Sequence, residues 1–138
     1  MKPPEEVRLD FVREWLEKAG RDLAAGGHLL TGEGGFPETV AFHAQQAAEK
    51  YLKAFLVWHQ VEFPKTHDVA RLLELIAPLA PDLATALEEA DSLTPYGVDY
   101  RYPGDYPEVS SAEAKRCIDT AMAVRGAILT RLPTNVIE

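Results

Sequence analysis

Apolar residues recur every three or four positions through most of the chain, and this spacing places them on one face of an α-helix. The pattern begins at about residue 5 and continues to residue 30, where a group of glycines and Pro37 interrupts it. Glycine and proline are the residues that most often end helices. The pattern therefore predicts a first amphipathic helix over residues 5–30. Its buried stripe contains Val7, Phe11, Trp15, Leu16, Ala19 and Leu23.

A second helix is expected over residues 38–59, and its apolar positions cover more than half of its circumference. A helix that is apolar on so much of its surface belongs in the middle of a bundle. Gln45 lies beside the apolar face, where a buried side chain needs a hydrogen-bond partner. His59 falls on the apolar face near the end, and we expect it to be a hydrogen-bonded structural histidine. Four residues would let neighbouring helices approach closely: Ala41, Ala44, Ala47 and Ala48.

Three further helices follow from caps and breakers. The third starts at Thr66 or Asp68 and ends at Pro78, and the fourth runs from Pro81 to Leu93. The last starts at Ser110 or Ser111, with Glu113 placed for a capping box, and ends at Leu132.

No segment shows the two-residue alternation of a strand. The expected fold is therefore all-α, an up-and-down bundle of four to five helices. The second and last helices are expected to be its main core partners. We expect one domain over residues 1–138, with a core at about residues 8–132.

Composition narrows the possible functions. The 138 residues include 14 basic and 22 acidic side chains, and the net charge of -8 opposes broad contact with the phosphates of DNA. No apolar run is long enough for a membrane helix, and the first six residues lack the apolar part of a signal peptide, so a cytoplasmic protein is expected. Cys117 is the only cysteine, and the histidines lack metal-ligand spacing. We expect neither a metal nor a cofactor.

Four of the five tyrosines lie between residues 96 and 106, in a stretch rich in glycine and proline. Tyr100 and Tyr102 could stack on a nucleotide base while Arg101 contacts a phosphate. The alternative is structural, with the tyrosines holding a long connection against the helix ends.

A polar stripe on the second helix is the other candidate, formed by His43, Gln46, Lys50 and Lys53. It could bind a phosphate, although a solvated face containing a local Glu49–Lys53 pair explains it equally well. His67 precedes the third helix, where the positive helix terminus could attract an anion.

Arg125 falls on the core side of the last helix, where an unpaired charge would be costly. We expect it to pair with Glu14, Glu17 or Asp22, to extend to solvent, or to enter a subunit interface. A ligand role is the less favoured alternative.

The sequence of residues 42–56, FHAQQAAEKYLKAFL, resembles the signature helix of the HEPN domain family. Three other segments appear in the same order as in that family: the first helix, the turn at Thr66, His67 and Asp68, and residues 100–103. The resemblance therefore covers about residues 8–132. It implies a bundle of four or five helices that usually dimerises. It also implies a link to nucleotides, because members accompany minimal nucleotidyltransferases, often as toxin and antitoxin pairs.

Many HEPN proteins are ribonucleases with an Arg-x4-6-His motif near the last helices. This chain departs from that pattern, since no histidine follows His67. Without that imidazole, general acid and base catalysis of RNA cleavage loses its usual agent.

The sequence therefore predicts a non-catalytic HEPN homodimer, with no catalytic residue, that binds a nucleotide or partners a minimal nucleotidyltransferase. Two alternatives remain: a metal-independent ribonuclease toxin using His43 or His67 with Arg101, and a purely structural dimeric module. The candidate ligand-binding residues are Tyr100, Arg101, Tyr102, His43, Gln46, Lys50, Lys53 and His67.

Overall fold

The computed structural model describes residues 3–32, 35–97 and 108–137, with Ile137 described by its backbone alone. Within these ranges the regular structure is entirely helical, as predicted. No helix there is long and apolar enough to cross a membrane. The elements are α1 (Pro4–Thr31), α2 (Pro37–Trp58), α3 (Val69–Ile76), α4 (Pro81–Ala86), a 3₁₀ helix (Glu88–Leu93), α5 (Thr94–Gly97), α6 (Ser111–Leu129) and α7 (Thr134–Ile137).

Helix α2 lies at the centre of the bundle, where the sequence places it. Its four alanines at positions 41, 44, 47 and 48 are completely buried. The expectation that α2 and α6 are the main core partners needs correction, because α1 packs against α2 more extensively than α6 does. Gly26 shows how closely the three helices approach. A Cβ atom there would lie 2.8 Å from Cδ1 of Ile118 and 3.4 Å from Cβ of His43.

Polar caps fix where α3 and α6 begin. The Asp68 side chain accepts a hydrogen bond from the Ala70 amide at 3.0 Å, and the Ser110 hydroxyl accepts one from the Glu113 amide at 3.1 Å. Both caps are among those expected from the sequence. The Glu113 carboxylate accepts from the Tyr96 hydroxyl and so joins α5 to α6.

The expected single helix over residues 81–93 is wrong. The α-helix ends at Ala86, and a 3₁₀ helix continues from Glu88 to Leu93. Leu87, Ala90 and Leu93 are all buried. Their spacing of three matches the three residues per turn of a 3₁₀ helix, so the tighter winding keeps all three facing the core.

Candidate functional site

A buried polar network is centred on Glu49, which is 2% exposed. Oε1 of Glu49 accepts from Nε2 of Gln45 at 3.1 Å and contacts Nδ1 of His67 at 2.8 Å. Oε2 accepts from Nζ of Lys53 at 3.1 Å. These partners of the carboxylate come from α2 itself and from the turn before α3. We call Gln45, Glu49, Lys53 and His67 the Glu49 network.

Lys53 does not lie on a solvated stripe, because the turn before α3 covers it. Its side chain is only 8% exposed, and its ammonium also donates to the Thr66 carbonyl at 3.2 Å. The aromatic rings of Trp15 and Phe63 lie 5.5 Å and 5.6 Å from Nζ. The predicted local pair with Glu49 is present, but it is a buried pair, in which each charge depends on the other.

A second cluster joins α1 to α2 through Asp22. One oxygen of this carboxylate contacts Nδ1 of His43 at 2.9 Å, and the other accepts from Nζ of Lys50. All three side chains are partly buried, with exposed fractions of 25% for His43, 15% for Asp22 and 20% for Lys50. The stripe predicted from the sequence is thus divided, because His43 and Lys50 turn toward α1 while Lys53 turns toward the 66–67 turn. A carboxylate on Nδ1 also orients the imidazole ring, an arrangement suited to proton transfer.

Gln45 links the rest of the Glu49 network to Gln46 and to the end of α5. It is completely buried and has the partners that its position requires: Nε2 donates to the His67 carbonyl at 3.2 Å, and Oε1 accepts from Gln46 at 2.7 Å. Gly97 packs directly against it, since a Cβ atom there would lie 2.7 Å from the Gln45 side chain. Gly97, the last described residue before the tyrosine-rich segment, therefore lies beside the Glu49 network.

The sequence-predicted residues fall into three groups. Gln46, Lys53 and His67 meet through Gln45 and Glu49, whereas His43 and Lys50 meet through Asp22. The third group lies outside the described residues: Tyr100, Arg101 and Tyr102. His67 is the most accessible member of the Glu49 network, with 55% of its side chain exposed.

Sequence reasoning assigned Glu49 and Asp22 no site role, although each carboxylate organises a cluster. The four-residue spacing of Gln45, Glu49 and Lys53 was the available signal for Glu49, because it aligns the three side chains along one helix face. Asp22 gave no comparable signal, since its partners are more than twenty positions away.

One further expectation is met in part and another needs correction. Arg125 is exposed, as the expected extension to solvent requires, and its guanidinium faces the buried Tyr51 hydroxyl instead of an acidic residue of α1. Burial raises the pKa of Tyr51, and the nearby Arg125 charge opposes that rise. His59 is not on the buried face but at the exposed end of α2, where its ring packs on Phe55 with 4.4 Å between centroids. Partial burial, aided by the positive charge of Arg8, lowers its pKa.

No group of three or more potential metal ligands occurs among the described side chains.

Comparison with known proteins identifies the family. The chain is similar to two solved structures, TT1696 from Thermus thermophilus and ST0689, described as an archaeal HEPN homologue. TT1696 is 29% identical with a TM-score of 0.71, and the match covers 88% of this chain and 98% of that one. ST0689 is 25% identical with a TM-score of 0.67, covering 87% and 96%. A search of curated proteins found no match. The family model for the HEPN domain matches residues 12–131, and the chain therefore belongs to the HEPN domain family.

Proposed function

We propose that this HEPN protein is a non-catalytic binding module, which binds a nucleotide or a minimal nucleotidyltransferase beside the middle of α2, where Gln45 and Glu49 lie. The site combines Tyr100, Arg101 and Tyr102 with the exposed edge of His67. The packing of Gly97 against Gln45 is the observation that carries this proposal. It places Gly97, the last described residue before the tyrosine-rich segment, against the Glu49 network.

The roles in this site follow from the contacts. Lys53 and Glu49 neutralise one another in the interior, so they position the turn that holds His67 rather than contact a ligand. In its protonated form His67 donates Nδ1–H to Glu49 and presents Nε2–H to an anion, because more than half of its side chain is exposed. Arg101 supplies the planar donor that a phosphate prefers, and the two tyrosines supply faces for a base.

The absence of catalysis is proposed from the positions of the histidines. The chain has no histidine beyond position 67 to take the place expected in a HEPN ribonuclease. We also propose a homodimer. Val7 and Phe11, which the sequence places in the buried stripe, are instead 37% and 52% exposed on α1 and offer apolar surface to a second copy.

Isothermal titration calorimetry with a panel of nucleotides, with and without a minimal nucleotidyltransferase, tests the proposal. Arg101→Ala should weaken binding by about tenfold or more, since a charged hydrogen bond contributes about 1.5–3 kcal/mol. The matched control is Arg71→Ala, because Arg71 is an exposed arginine of α3 that pairs locally with Glu74. The Arg71→Ala protein should bind the same ligand with wild-type affinity. Absence of heat in both formats, or equal affinity of the Arg101→Ala protein, would contradict the proposal.

RNA cleavage is the second candidate, favoured by the 2.9 Å contact between Asp22 and Nδ1 of His43. A histidine oriented in this way could exchange protons with a ribose hydroxyl. Cleavage of labelled RNA that is abolished by His43→Ala, and retained by the control His28→Ala, would establish this candidate. Inactive wild-type protein would exclude it.

A further inference from the structure

A separate cleft of about 360 Å³ lies between α1, α2, α6 and α7. Its apolar lining comes from Leu16, Leu129 and Val136, and two arginines, Arg13 and Arg125, contribute the positive charge. The volume is within the range of small-molecule sites, which combine apolar walls with a few polar groups.

Arg125 is oriented toward this cleft without being neutralised. Its guanidinium faces the hydroxyl of Tyr51, a side chain only 2% exposed that also lines the cleft. Within the described ranges no carboxylate forms an ion pair with Arg125. Two of the acidic residues expected to do so have other partners, since Glu17 pairs with Arg21 at 2.9 Å and Asp22 pairs with Lys50.

Arg13 is held at the cleft by the backbone of α7. Its Nη2 donates to the carbonyl oxygen of Asn135. The Asp10 carboxylate forms an ion pair with the same guanidinium, with its oxygen 3.8 Å from Nη1, a distance too long for a hydrogen bond. The remaining donors of this guanidinium are therefore available to a ligand.

Among the described residues, Glu17 is the only carboxylate that lines the cleft, and Arg21 shares its charge. With Asp10 paired to Arg13 and Arg21 paired to Glu17, Arg125 leaves an excess of one positive charge at the cleft, in a protein whose net charge is -8. Guanidinium groups match the oxygens of a phosphate more closely than ammonium groups do, and a phosphate can accept from both arginines. The apolar wall would exclude water from one side of the bound molecule.

We propose that this cleft binds a phosphate monoester with a compact apolar body. Arg125 and Arg13 contact the phosphate, and Leu16, Leu129 and Val136 contact the body. The inference does not depend on the proposed function. Tyr51 and Glu49 lie two residues apart on α2, about 160° around the helix, so this cleft and the Glu49 network are on opposite sides of it.

Calorimetry with phenyl phosphate provides the test, with phenol and inorganic phosphate as partial ligands. The full-length protein should bind phenyl phosphate more tightly than either partial ligand, because only the ester uses both the charge and the apolar wall. Arg125→Gln should weaken binding by about 10- to 100-fold, as expected for the loss of a charge-assisted hydrogen bond. Arg125→Lys should lie between Arg125→Gln and wild type, since it keeps the charge but loses the planar donor.

The matched control is Arg116→Gln, because Arg116 is an exposed arginine of the same helix outside this cleft. It should bind as wild type does. Resonances of the Tyr51 ring and of the Arg125 side chain should shift on titration with phenyl phosphate. The proposal is overturned if no heat appears at ligand concentrations up to about 10 mM. It is also overturned if Arg125→Gln binds phenyl phosphate as tightly as wild type does. Loss of phenyl phosphate binding in Arg101→Ala alone would overturn it as well, because the ligand would then occupy the site of the proposed function.

Discussion

Replacing Glu49 by glutamine should destabilise the protein far more than a typical single substitution. The change keeps the size of the side chain but removes the charge that neutralises Lys53, whose side chain is 8% exposed. Removing one partner of a buried pair costs about 3–5 kcal/mol, because the other charge stays in the interior. We expect about 3 kcal/mol, the lower end of that range, since the Lys53 ammonium keeps the Thr66 carbonyl at 3.2 Å.

This loss converts to a measurable change in melting temperature. With an unfolding entropy of about 2.1 cal/mol/K per residue, each kcal/mol corresponds to roughly 3–4 °C in a 138-residue chain. Glu49→Gln should therefore lower Tm by about 10 °C. Urea unfolding followed by circular dichroism gives the free energy directly. Glu74→Gln is the matched control, because this carboxylate is 67% exposed and pairs with the nearby Arg71. It should stay within about 0.5 kcal/mol of wild type.

A double-substituted protein separates the buried charge from other effects of the change. Adding Lys53→Met to Glu49→Gln removes the unpaired ammonium, so the double variant should be more stable than Glu49→Gln alone. The coupling free energy between the two positions should exceed about 1.5 kcal/mol. Additive losses, or a Glu49→Gln variant as stable as Glu74→Gln, would refute the claim that this pair is buried and mutually dependent.

Three other predictions concern Gly97, Cys117 and His59. Gly97→Ala should lower the free energy of unfolding measured in urea by about 1–3 kcal/mol, because its Cβ would overlap the fully buried Gln45 side chain. Gly126→Ala is the control: its Cβ would have nothing within 4 Å, so this variant should be neutral or stabilising. Burial raises the pKa of Cys117 from 9.0 to about 11. Native protein should therefore react with iodoacetamide at pH 8 about 100-fold more slowly than urea-unfolded protein does. Equal rates would contradict the burial of this thiol. Because the pKa of His59 is lowered in the folded protein, the unfolded state binds a proton at this histidine more readily than the folded state does. Protonation of His59 therefore reduces the free energy of unfolding as pH falls from about 6.5 toward the folded pKa. His59→Gln should flatten that part of the stability profile between about pH 7.5 and 5.5, and an unchanged slope would count against the assignment.

Local signals in the sequence were sufficient for most of the helices. The apolar spacing placed α1 and α2, and the side chains of Asp68 and Ser110 marked the starts of α3 and α6. The 3₁₀ helix at Glu88–Leu93 was missed, because apolar residues three apart also fit an α-helix. Only packing against the core distinguishes the two windings.

The site was harder to predict because its contacts join distant parts of the chain. Lys53 occupies a polar position on the helical wheel, and nothing in its neighbours reveals that residues 66 and 67 fold over it. Asp22 attracts Lys50 across 28 positions, a pairing that depends on how α1 docks against α2. The same docking leaves Arg125 facing Tyr51 rather than an acidic residue of α1.

The Glu49 network costs desolvation energy that an apolar core would avoid, so its value lies in what it positions. Gln45, Lys53 and His67 all donate to the Glu49 carboxylate. Lys53 also donates to the Thr66 carbonyl, and Gln45 also donates to the His67 carbonyl. Apolar contacts alone would tolerate small shifts of the turn, whereas these paired donors and acceptors fit only one position of it. Gly97 then packs on the Gln45 side chain held in that arrangement. The buried charges of α2 thereby determine where the exposed His67 ring lies relative to the start of the tyrosine-rich connection, and this placement is what the proposed binding site requires.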